Sequence, residues 1–186
     1  MLELNQAKTL SSAPRSLSYD LPSFLANEGD CYISIDAKSH ADTAVPIKNS
    51  IEQLMMGVKA RTEHLNRRLG KVNGSAFVGE TAKAYSEFAV DDLKAQQWFY
   101  RATLMACYDN CITAWSTNIW DNISGSEIEP TRDNFEALVN LAYPDGGISD
   151  VPDLLNVFER MRTELLDTSG DEAEAVAEVQ RQDEKN

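Results

Sequence analysis

Residues 98–143 read WFYRATLMACYDNCITAWSTNIWDNISGSEIEPTRDNFEALVNLAY, and how this stretch folds decides the architecture. It holds all three tryptophans, Trp98, Trp115 and Trp120, and two of the three cysteines. Helical spacing begins upstream at Thr81 and runs through Tyr85, Phe88 and Leu93. Phe99, Leu104, Met105, Tyr108, Ile112, Trp115 and Ile119 continue it over several turns. A helix apolar on more than one side belongs between neighbours in a core. Asn122 and Gly125 predict its end near Trp120. Ile123–Glu129 is then a connector, with a short strand around Ile128. Thr131 is a good N-cap for the next helix, and Asp133 suits its positive end. Phe135, Leu138, Val139 and Ala142 fall on one face of that helix. Pro144-Asp145-Gly146-Gly147 stops it.

Towards the C-terminus a last helix begins near Pro152, with Leu154, Leu155, Phe158, Met161, Leu165 and Leu166 as its apolar face. Beyond Asp167 the chain is rich in Glu, Asp, Gln and Ala, and residues 167–186 read as a disordered acidic tail. Upstream, Ile47, Ile51, Leu54, Met55, Val58, Leu65 and Leu69 recur at three- and four-residue steps. They predict an amphipathic helix with Pro46 in its first turn and Gly70 as its stop. Gly57 in mid-helix implies a kink or a close helix contact. Lys71–Gly79 is a linker. Cys31–Asp36 alternates strictly, with Cys31, Ile33 and Ile35 on one face, the pattern of a half-buried strand. Thr43–Pro46 is the expected partner strand, across the polar loop Ala37–Asp42. Residues 1–20 lack periodicity and read as a flexible arm, which leaves 21–166 as the single folded domain. The expected fold is mainly α, about four helices with a small N-terminal β-hairpin element, with α+β as the alternative.

The chain has 186 residues and a formal net charge of −13, a balance that argues against nucleic acid or an anionic membrane as the main partner. No apolar run reaches the length of a membrane span, and Met1–Leu10 lacks the layout of a signal peptide, so a cytoplasm is expected. Three cysteines without a repeated spacing fit reduced thiols better than a disulfide framework.

No residue pattern marks a catalytic centre. Cys107 and Cys111 share a helix face, but a structural zinc site needs four ligands and neither His40 nor His64 completes the set. The thiols read as small buried hydrophobes. Ser75, between Gly74 and Gly79, lacks the Gly-Lys-Ser/Thr of a phosphate loop. Asp91, Asp92, Asp145 and Asp150 suit capping. Lys59, Arg61, Arg67, Arg68 and Lys71 concentrate the positive charge. No aromatic residues interleave them, so a solvated face, partly neutralised by Glu63, is favoured over a nucleic-acid surface. Metal and cofactor are therefore expected to be absent, and the protein is not expected to be an enzyme.

Ile112–Trp115 (ITAW), Ile119–Gly125 (IWDNISG), Glu127–Thr131 (EIEPT) and Asn134–Leu138 (NFEAL) together resemble the layout of tail assembly chaperones of long-tailed bacteriophages. In that family an apolar helix ends in a Trp-containing turn, followed by an acidic or Gly-containing connector and a capped helix. CYISIDAKSHADTAVPI, from Cys31, is similar to the family's N-terminal β element leading into a basic helix. The chain departs from the family in Ala114-Trp115, where Gly-Trp is usual. The resemblance implies a non-enzymatic viral protein in the cytoplasm of the infected bacterial host. There it holds the tape-measure protein soluble before tail-tube polymerisation, with the tail-tube protein and a homo-oligomer as further partners. An exposed apolar groove is then required, for which Trp120, Ile123, Leu154 and Phe158 are the candidates. The alternatives are a small acidic phage protein that inhibits a host factor and a structural tail-completion or head–tail subunit.

Overall fold

The computed structural model describes residues 14–72 and 78–166; the expectations for residues 1–13, 73–77 and 167–186, Ser75 and the acidic tail among them, lie outside the described residues. The architecture is α+β rather than mainly α. In chain order the elements are β1 (Arg15–Asp20), β2 (Tyr32–Ala37), α1 (His40–Val72), α2 (Val78–Cys111), β3 (Ile112–Thr117), β4 (Trp120–Asp121), β5 (Ser126–Glu127), α3 (Arg132–Ala142) and α4 (Pro152–Leu166). Strands β1, β2 and β3 form one antiparallel sheet with β2 in the middle, while β4 and β5 form a separate small ribbon.

Strand β2 falls where the alternation placed it, and Cys31, Ile33 and Ile35 are buried. Its partners differ from the expected one. Arg15–Asp20, expected in the flexible arm, is a paired strand, with Leu17 opposite Ile35 and Tyr19 opposite Ile33. Thr43–Pro46 is helical because a cap starts α1 upstream of it. Ser39 donates to the Asp42 carboxylate at 2.7 Å and accepts from the Asp42 amide at 3.3 Å, a Ser-x-x-Asp start of the capping-box type. Pro46 therefore sits inside the helix rather than in its first turn, with its ring exposed. The helix also runs past Gly70 to Val72. His40, expected in a loop, is the first residue of α1 and is buried. Arg15 donates to its Nε2 at 2.8 Å and to the Glu164 carbonyl at 3.0 Å, while the Tyr19 hydroxyl donates to the Glu164 carboxylate at 2.6 Å. These contacts tie β1 to α1 and α4.

The long central helix ends at Cys111, not near Trp120, and the chain passes directly into β3. Ile112, Thr113, Trp115 and Thr117 are β-branched or aromatic, which suits a pleated, half-buried surface. Their three- and four-residue spacing with Ile119 imitates a helix, yet the buried positions Trp115, Thr117 and Ile119 follow a two-residue step. The edge of β2 decides between the two. Ile35 pairs with Trp115 and Ile33 with Thr117, and a register shift between Asp36 and Ala37 accommodates Thr113, whose hydroxyl donates to the Asp36 carbonyl at 3.1 Å.

Helices α3 and α4 keep their expected starts and faces. The Thr131 hydroxyl accepts from the Asn134 amide, and Phe135, Leu138, Val139 and Ala142 are buried. Phe135 is the hub of the core, with Tyr108 at 4.7 Å, Trp115 at 5.4 Å and Phe158 at 5.5 Å between ring centroids. It thereby joins α2, β3 and α4. Offset and edge-on aromatic contacts of this kind add about 0.5–1.5 kcal/mol each beyond area burial. Among the described residues no helix is long and apolar enough to cross a membrane.

Candidate partner-binding surface

Trp120 and Ile123, two of the four sequence candidates, lie in the β4–β5 ribbon. The turn between the strands is built by Asp121, whose carboxylate accepts from the amides of Ile123 at 3.0 Å and Ser124 at 3.1 Å. Hydrogen bonds from Ser124, and then from the Ile123 amide, hold the Asp121 carboxyl below its ordinary value. Gly125 closes the turn at φ 66°, a left-handed conformation natural to glycine. This geometry lifts Ile123 out of the surface, 98% exposed, while Trp120 is half-buried.

The other two candidates are corrected by the packing. Leu154 and Phe158 are fully buried. Both lie on the inner face of α4, and Phe158 meets Phe135 in the core. The residues that take their place come from α3. An open groove of about 360 Å³ runs between the ribbon and this helix, lined by Ile128, Ala137, Leu138 and Leu141 and rimmed by Asp121, Glu127 and Glu129. Leu141, which the sequence reading left unassigned, is 55% exposed on α3. Its signal was present, since it follows Leu138 by three residues yet lies off the stripe that Phe135, Val139 and Ala142 define.

A second set of exposed apolar residues lies on the α1–α2 hairpin, Met55 of the expected apolar stripe among them. Met55 and Met56 on α1, and Val90, Leu93 and Trp98 on α2, are all more than a third exposed. Trp98 is 40% exposed, whereas Trp115 is buried. The close contact inferred at Gly57 is also seen, for the Trp98 indole lies over it at ordinary van der Waals distance from where a Cβ would stand.

The thiols are buried and free at Cys31, Cys107 and Cys111. Burial, reinforced by the neighbouring Cys111, pushes Cys107 up to about 12, and burial also raises Cys31 and Cys111. Such thiols are poor nucleophiles at neutral pH. Among the described residues, no group of three His, Cys, Asp or Glu side chains is arranged to hold a metal ion. Asp91 and Asp92 are not caps but lie inside α2, where Asp92 accepts from Gln96 at 2.8 Å. In the basic cluster Lys59, Arg61 and Arg67 are exposed, and Arg67 pairs with Glu63 at 3.5 Å. Comparison with protein-family models, with curated proteins and with solved structures gives no match to this chain.

Proposed function

We propose that the chain is a non-enzymatic tail assembly chaperone of a long-tailed bacteriophage, acting in the cytoplasm of the infected host. Its client is the tape-measure protein, a long helical chain whose apolar stripes must be covered until the tail tube polymerises around it. The observation that supports this reading best is the groove between the β4–β5 ribbon and α3. Its wall is apolar through Ile128, Leu138 and Leu141, Ile123 projects from the adjoining turn, and three carboxylates rim it. An amphipathic helix with basic flanks is complementary to such a groove. The resemblance carried by Ile119–Gly125, Glu127–Thr131 and Asn134–Leu138 points to the same class, and these segments contribute lining residues to the groove, whereas Ile112–Trp115 lies apart in β3.

The test is co-expression with the tape-measure protein from the same genome, read as soluble client. The unaltered chain should keep the client soluble. Ile123→Asp combined with Leu141→Asp should abolish the rescue and leave the chaperone folded, because both side chains face solvent. A client that stays insoluble beside the unaltered chain, with no complex recoverable, ends the chaperone reading.

A further inference from the structure

We infer that the outer part of the α1–α2 hairpin is a self-association surface, on which a second copy of this chain packs to complete a four-helix bundle. α1 has 33 residues and α2 has 34. At a rise of about 1.5 Å per residue, each helix is about 50 Å long. Only part of that length is covered by the rest of the fold. Beyond Ile51 on α1, and before Ala95 on α2, no described side chain is buried. Among the described side chains of this outer part, Leu54 and Val58 are half-buried. Two helices cover one stripe of each. Met55, Met56, Val90 and Leu93 remain exposed, at 38% to 67%, and Trp98, although its indole lies over Gly57 of α1, keeps 40% of its surface exposed beside them. Helical stability in water comes mainly from covering such apolar faces, so a further helical surface is the natural complement.

The charge of the hairpin selects the occupant. Residues 52–72 of α1 carry five basic side chains against two acidic ones, whereas residues 78–98 of α2 carry four acidic against two basic. One helix of the pair is thus basic and the other acidic. A two-fold interface requires a surface complementary to itself, and a basic–acidic antiparallel pair meets that condition. Turned about a two-fold axis, α1 of one copy lies beside α2 of the other, and the like-charged helices occupy the diagonals. Every adjacent pair in the bundle is then of opposite charge. A uniformly basic or acidic client has no comparable match across both helices.

The proposal is tested on the full chain without any client, so its outcome is separate from that of the chaperone reading. Light scattering and sedimentation should give twice the chain mass. Met56→Glu with Leu93→Glu should return the mass to that of one chain and leave the far-ultraviolet circular dichroism unchanged. Since the double variant is open to the objection that it loosens the hairpin, a photo-reactive residue at Met56 of the otherwise unaltered chain supplies a second measurement. In a mixture of isotopically light and heavy chains, it should crosslink to α2 of the other copy around Val90–Trp98. A chain that is monomeric at every accessible concentration, a dimer that survives both glutamates, or crosslinks confined to one chain or to another face would overturn the inference.

Discussion

Gln97 holds Gly146 and the residue after it with both ends of its amide. Its Oε1 accepts from the Gly146 amide at 2.7 Å, and its Nε2 donates to the Gly147 carbonyl at 2.6 Å. The side chain is buried, so these bonds fix the loop between α3 and α4 against the middle of α2. Replacing Gln97 by leucine leaves a backbone donor and a backbone acceptor without their partner. Each such group costs about 1–3 kcal/mol where water cannot reach it. Gln97→Leu should therefore lower the stability to urea by about 2 kcal/mol or more. Gln97→Glu should not rescue it, because the second carboxylate oxygen would face the Gly147 carbonyl. A leucine variant with unchanged unfolding midpoint would show that the loop is held by other contacts.

The loop itself was legible in the sequence, since Pro144-Asp145-Gly146-Gly147 cannot continue a helix, and Gly146 adopts φ 77°. Its anchor was not, because nothing local marks a glutamine that meets residues about fifty positions away. The same division runs through the fold. Thr131 and the face of Phe135, Leu138, Val139 and Ala142 follow from cap chemistry and from a single period. Ile112–Thr117 satisfies two periods at once, and only the presence of β2 beside it selects the strand. Arg15–Asp20 has little to declare it until β2 offers an edge. For the candidate surface, the period shows the apolar face of α4 but not whether that face is covered. Phe135 meets it, so Leu154 and Phe158 belong to the core, while Ile123 is exposed.

Stability should fall on the alkaline side. Burial raises Cys107 from an ordinary value of 9.0 to about 12, and burial with a hydrogen bond to a carboxylate raises Tyr19 and Tyr143 above their ordinary 10.0. In each case the folded state keeps a proton that the unfolded state gives up more easily. The favourable contribution is complete below about pH 9 and is lost as pH rises from there through about 12. Urea unfolding across that range should show a steady decline. Cys107→Ala should remove part of the slope, and a stability that does not change above pH 9 would contradict the burial of these groups.

Gly57→Ala should stabilise the protein. The glycine has no positive φ, and an added Cβ would meet the Trp98 ring at 3.7 Å, an ordinary contact. Alanine in a helix interior is favoured over glycine by about 1 kcal/mol. Thermal unfolding should therefore shift upward by a few degrees. A downward shift would mean that the helices must approach more closely there than this contact indicates.

Phe158→Ala removes a fully buried ring beside Phe135 and should cost about 3–5 kcal/mol, unfolding a substantial fraction of a marginally stable chain. Ile123→Asp, at a position 98% exposed, should leave the unfolding midpoint almost unchanged. If Ile123 belongs to the client surface, that same substitution should weaken binding of a tape-measure peptide, measured by calorimetry. Binding that rests on apolar burial has a negative heat-capacity change and survives moderate salt. An acidic inhibitor that mimics nucleic acid would instead lose affinity steeply as salt screens Asp121, Glu127 and Glu129. The two dependences can be measured on one peptide with the unaltered chain and with Ile123→Asp. A heat-capacity change near zero, a steep salt slope and indifference to Ile123 together would remove the groove from the chaperone reading.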